Sequence, residues 1–258
     1  MKIIVTVKWV GSADQAEASP DGSVSFAKAK AAVSEYDAVA AEVAKQLAAS
    51  APGSEIVGVT VGPKDIDTPL SRKAILSRGL DRLVMVADDG LQGSDSLQTA
   101  TVLAKAIEKE GFDIVLTGDS SADLGDRQVA AVLGALLGVP VVTGASAVSA
   151  ASGAVQFERK AADGSTETIE AAGPIVLSVA SDAAVAAVPG MKDILGAAKK
   201  PADATDLAGL GAELPAGPEI IKAAPPAKSG RAATMIDASD PAAAAAELVA
   251  ALRQRGAL

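Results

Sequence analysis

Residues 118–128 read GDSSADLGDRQ: three aspartates (Asp119, Asp123, Asp126), two serines and two glycines stand directly before Ala, Val and Leu at helical spacing. A glycine turn feeding a helix suits anion binding, because the first helical amides are unpaired and the helix dipole favours negative charge there. Gly118 ends an apolar run, Gly125 permits close backbone approach, and Arg127 and Gln128 fall in the first helical turn. The carboxylates allow other chemistry. Several oxygens in one loop could ligate Mg²⁺, although the spacing matches no specific ion-binding loop, and Asp123 or Asp126 could simply cap the helix. Neither GxGxxG nor GxxxxGK[ST] occurs, so dinucleotide and P-loop motifs find no support. The residues alone leave a nucleotide site, a metal loop and a capped helix open.

The rest of the chain narrows the chemistry by elimination. Its 258 residues contain no His and no Cys. Ser-His-Asp and Cys-His nucleophiles, His or Cys zinc sites, disulfides and Cys-ligated clusters are therefore excluded. Carboxylate, Lys, Tyr or Ser chemistry remains, as does a protein that places a cofactor and lets it react. The net charge of −9 argues against nucleic acid as a partner. MKIIVTVKWV is too short for a signal peptide, and no stretch approaches the ~20 apolar residues of a membrane helix. A cytoplasmic protein without membrane insertion is expected. Lys199 and Lys200 read as a solvated helix C-terminus.

The elements that must position the loop follow from apolar patterning. Hydrophobic residues make up 49% of the chain and aromatics only 2%, which suits helices packed closely on a sheet. Continuous apolar runs at 3–7, 55–62, 82–88, 113–118, 139–145 and 174–180 predict strands covered on both faces. Helical stripes lie between them: Tyr36, Val39, Ala40, Val43 and Leu47; Leu97, Ala100, Leu103, Ala104 and Ile107; Val129, Val132, Leu133, Leu136 and Leu137. The alternation implies right-handed crossovers in an α/β, doubly wound, mostly parallel sheet. Asp-Gly turns at 17–26 and 155–170 predict hairpin insertions. After residue 200 the Pro, Gly and Ala content reads as an extended arm, closed by a helix at 239–256 with Ser239 or Asp240 as cap and Pro241 in its first turn. Candidate loops beyond the strand ends are 6–10, 34–37, 61–63, 88–93 and 118–128.

With these residues in order, the sequence resembles the β subunit of electron-transfer flavoprotein, and within it the FixA branch. The resemblance runs from MKIIVTVKWV through SEYDAVAAEVA, RKAILSRGLDRLVMVADD, GDSSADLGDRQVAAVLGALLGVP and FERKAADGSTETIEAAGPIVLSV to MKDILGAAKKP. It implies a Rossmann-like domain of the adenine nucleotide α-hydrolase type at 1–200, with a signature hairpin and strand at 155–180 and a partner-docking loop at 181–191. An arm and helix at 201–258 would pack on the α subunit.

By resemblance, an AMP, or a second FAD in electron-bifurcating relatives, would be held by Thr6, Ser34, Tyr36, Asp37, Val61, Asp123, Gly125, Asp126, Arg127, Gln128, Val129 and Ala130. The reacting FAD would be carried by or shared with the α subunit. Glu167 would face that subunit, and Ala183 and Val185 would anchor an acyl-CoA dehydrogenase-type flavoenzyme; the acceptor would be quinone- or ferredoxin-linked. The sequence departs from ordinary β subunits, which have Asn-Pro at Ser34-Glu35 and Thr-Gly-Gln at Val129-Ala130-Ala131. The reading implied is an electron carrier subunit without catalysis of its own. The alternatives are a bifurcating subunit, a stand-alone nucleotide binder of similar fold, and a Mg²⁺-dependent enzyme using the acidic loop.

Overall fold

Every long apolar run of the sequence becomes a strand of one sheet. The computed structural model describes residues 1–19, 23–26, 28–151, 154–219, 221 and 233–258. In chain order the elements are β1 (Lys2–Thr6), β2 (Trp9–Gly11), β3 (Glu17–Ala18), β4 (Val24–Ser25), β5 (Ala31–Val33), α1 (Glu35–Ser50), β6 (Glu55–Gly62), α2 (Pro69–Leu76), β7 (Arg82–Ala87), α3 (Ser96–Glu110), β8 (Ile114–Gly118) and α4 (Val129–Leu137). They continue with β9 (Val141–Ala151), β10 (Ala154–Lys160), β11 (Thr166–Ala171), β12 (Ile175–Val179), α5 (Met191–Ala197), β13 (Ala202–Thr205), α6 (Leu207–Leu210) and α7 (Pro241–Gln254).

Nine strands form the main sheet in the order β11-β10-β9-β12-β8-β1-β6-β7-β13. From β9 to β13 neighbouring strands are parallel, while β10 and β11 extend the sheet as antiparallel hairpins. This is the expected doubly wound, Rossmann-like α/β architecture. Alternate strand residues face opposite layers. Ile3, Val5 and Leu116 pack with α1 and α2, whereas Ile4, Val115 and Val176 pack with α3 and α4.

Several local expectations need correction. Leu97 and Leu136 project into solvent, so the apolar stripes of α3 and α4 are narrower than their sequence period suggests. Helix α2 was not anticipated; Thr68 and Ser71 form a reciprocal capping box around Pro69. Lys200 is only partly solvated: its ammonium donates to the carbonyls of Leu76 (3.4 Å), the last residue of α2, and of Leu80 (2.6 Å) beyond it. The hairpin expected at 17–26 appears as β3 paired with β4, and its Asp21-Gly22 turn lies outside the described residues. The second hairpin turns at Asp163-Gly164, where Gly164 has a positive φ of 85°.

The arm expected from residue 201 starts later, because 202–205 pair with β7 as a parallel edge strand. The contacts divide the chain into Met1–Ala223 and Ala224–Leu258. In the second unit, the Asp240 carboxylate accepts from Ala242 N (2.9 Å) and Ala243 N (3.3 Å), Pro241 opens α7, and no residue of α7 is buried. Among the described residues no helix is long and apolar enough to cross a membrane.

Candidate functional site

The strand order fixes where a site can form. From β1 the chain winds outward through β6 and β7, then returns to β8 on the other side of β1 and continues to β12. The loops leaving the carboxyl ends of β1 and β8 therefore diverge, opening a crevice of the kind that receives ligands in open α/β sheets. A cavity of about 730 Å³ occupies this position, within the range of about 300–1,000 Å³ usual for small-molecule and cofactor sites. Its walls come from the ends of β1, β6 and β8, the segment leading into α3, the loop before α4 and the β2–β5 ribbon.

One buried carboxylate ties the crevice together. Asp37, in the first turn of α1, accepts from Lys8 N at 2.7 Å and Gly118 N at 3.1 Å, so it bridges the chain leaving β1 to the end of β8. Burial pushes its carboxyl up to about 7 against the pull of the Lys8 and Gly118 amides and the Lys8 charge, and Asp123 adds to the rise. The strand end must approach α1 closely for this contact. A Cβ at Gly118 would lie 2.5 Å from Asp37 Oδ1 and 2.9 Å from the Tyr36 backbone carbon, so glycine is required there.

Each acid of the loop has a partner on another element. Asp123 pairs with Lys8, Asp119 accepts from Ser178 Oγ (2.9 Å) and lies 3.8 Å from Arg127, and Asp126 accepts from Ser96 Oγ (3.1 Å). Each acid thus staples the loop to a different element: the chain after β1, β12 and the start of α3. Among the described residues no group of three or more acids converges as a metal site. The capping alternative fails as well, since Gln128 is the N-cap of α4 and no side chain caps the helix. Arg127, at φ 55°, turns the chain into α4 and is the one non-glycine with positive φ among the described residues. The uncapped first turn of α4 opens on the cavity through Val129 and Ala130.

Of the twelve residues expected around a nucleotide, Thr6, Asp37, Val61, Asp123, Asp126, Arg127, Gln128, Val129 and Ala130 line this cavity. Ser34, Tyr36 and Gly125 do not line it. Ser34 is the N-cap of α1, with its hydroxyl buried and without a hydrogen-bond partner; Gly125, at φ 68°, shapes the loop. The expected loops 6–10 and 61–63 contribute Lys8, Trp9 and Pro63. Sequence reasoning missed Phe26, Ser94, Thr99 and Ser178, which also line the cavity. The signal for Ser94 and Thr99 was the Asp95–Gln98 capping box of α3, which places a helix start at the same sheet end. The hydroxyl of Ser94 is buried without a partner.

The expected partner contacts lie elsewhere. Glu167 sits directly opposite Arg159 across β10 and β11, and their side chains pair at 2.6 Å. Ala183 packs against the core, whereas Val185 is 92% exposed and Val188 89%. Only one of the two proposed anchors therefore projects outward, and Val188 joins it.

A model of the electron transfer flavoprotein domain matches residues 22–210 of the 258. The match takes in every strand of the sheet except β1 and most of the cavity wall. With a doubly wound sheet, a cavity at its switch point and this match, the chain belongs to the electron transfer flavoprotein family.

Proposed function

We propose that this chain is the β subunit of an electron transfer flavoprotein of FixA type, holding an adenine nucleotide in the switch-point cavity. The observation that carries this reading is the uncapped N-terminus of α4 facing that cavity, beside the Asp37-clamped ends of β1 and β8. Free first-turn amides suit a phosphate. Val61 and Leu103 offer apolar wall to a base, Trp9 and Phe26 can stack on it, and the unpartnered Ser94 hydroxyl and the Asp126 carboxylate suit ribose hydroxyls. An AMP here supplies structure and no chemistry.

In this reading the subunit pairs in the cytoplasm with an FAD-carrying α subunit. The pair shuttles electrons from an acyl-CoA dehydrogenase-type flavoenzyme to a quinone- or ferredoxin-linked acceptor, the redox chemistry belonging to the flavin. The exposed Val185 and Val188 are the docking surface for the flavoenzyme, and Glu167 faces the α subunit. The chain beyond β13, ending in α7, clasps that subunit. The test is co-purification with the α subunit, followed by identification of the nucleotide released on denaturation. One FAD and one AMP per pair is the expected result; a chain with no affinity for the α subunit refutes it.

A second reading, a bifurcating subunit with its own FAD, is favoured by the extent of the cavity from Trp9 and Phe26 to Thr99 and Ser178. Two FAD per pair and no AMP would establish it.

A further inference from the structure

The charges of the cavity oppose the ligand proposed for it. Among the described residues that line it, Lys8 and Arg127 are the cations, against six aspartates. Both cations are held by the loop before α4. Lys8 Nζ lies 2.8 Å from Asp123 Oδ1 and 2.7 Å from Oδ2, a chelated pair whose side chains are 38% and 18% exposed. Arg127 stands 3.8 Å from Asp119 and is more exposed. Burial works against ionisation of Asp123, yet hydrogen bonds from Lys8 and Ser121 and the Lys8 charge outweigh it and hold the carboxyl below its ordinary range. Meanwhile the Lys8 amide is anchored on Asp37. The backbone of Lys8 is thus fixed, and its side chain is the part free to change partner.

We propose that Asp123 is a resident anion on Lys8, so that the phosphate of an adenine nucleotide seated at the start of α4 competes with it for the ammonium and, on taking it, releases the loop from the chain after β1. This rests on the adenine-nucleotide reading above. The exchange keeps the ammonium paired, while Asp123 gives up its cation and keeps the hydrogen bond from Ser121. Its opposing force is repulsion between the displaced carboxylate and the incoming phosphate. Asp123 therefore determines how strongly the site distinguishes a nucleotide from its nucleoside.

The experiment titrates the full chain and its Asp123→Asn variant with AMP and with adenosine by calorimetry. Trp9, the single tryptophan and a cavity-lining residue, gives an independent fluorescence signal. D123N is expected to bind AMP about tenfold more tightly and adenosine about as before, and Lys8→Met to lose AMP affinity selectively. AMP affinity that is unchanged or weakened in D123N, or a change shared equally by adenosine, overturns the exchange and leaves the nucleotide reading standing. Absence of binding by either ligand to either protein refutes that reading and the exchange with it. Asp123→Ser supplies a second replacement if D123N does not fold; failure of both to fold makes the pair structural and also overturns the proposal.

Discussion

Replacing Asp37 by Asn should make the chain more stable in mild alkali and less stable in acid. The carboxyl is raised from its ordinary 3.8 to about 7, first by burial, a displacement worth roughly 4 kcal/mol. Because the folded chain holds this proton more tightly than the unfolded chain, the contribution is full below about pH 4 and is lost as the pH rises through about 7. Asn approximates the protonated acid in shape and charge. It accepts from one of the two amides, Lys8 N or Gly118 N, and turns an NH₂ toward the other, at a cost of about 1–3 kcal/mol.

Urea unfolding of wild type and Asp37→Asn between pH 4 and 8.5 measures the difference, in which carboxylates of opposite behaviour such as Glu110 and Asp123 cancel. The variant should be the weaker protein near pH 4 and the stronger by about 1–3 kcal/mol near pH 8. A difference that does not vary with pH, or one that favours wild type increasingly in alkali, would refute the argument that burial governs this carboxyl.

Three further outcomes are expected. Gly118→Ala drives a methyl into Asp37 and the Tyr36 backbone and should cost about 1–3 kcal/mol or more, read as a lowered melting temperature with loss of any nucleotide affinity. Lys200→Met removes the ammonium from the Leu76 and Leu80 carbonyls and should cost about 1.5–3 kcal/mol in the same melting assay, without altering the cavity. Glu167→Gln breaks an exposed cross-strand pair with Arg159 and should change stability by less than about 1 kcal/mol; an effect on α-subunit affinity would then be assigned to the interface.

The strands were the most legible part of the molecule. The run EIVGVTVG coincides with β6 residue for residue, because a strand buried on both faces writes its whole length in apolar side chains. The edge strand β13 has the sequence ADAT and writes nothing, since its identity comes from pairing with β7. Strand β9 outran its expected end because residues 145–151 pair antiparallel with β10, beyond the irregularity at Gly144, whose φ is 75°. Thr68-Pro69 was a readable start for α2, obscured by the shortness of the helix.

In the site, loop positions at strand ends were accessible from the sequence, since topology places them together. The roles within it were not. The acids of 118–128 read as a group of cavity residues, and in the fold each also ties the loop to another element; Asp37 read as one wall residue among several, and it joins the chain after β1 to the end of β8. These assignments depend on contacts between distant positions, which no local pattern encodes.

The span of those contacts bears on how the molecule assembles. Asp37 reaches 81 positions along the chain to Gly118, and Lys8 reaches 115 to Asp123, while β1 lies between β6 and β8. Such closures carry a large entropic toll and come slowly in folding. A polypeptide halted before residue 118 could form α1, β6, β7 and α3, yet the crevice would lack its second lip. In refolding, recovery of ligand affinity should therefore lag recovery of helical signal, and would time the moment when the two halves of the sheet meet at β1.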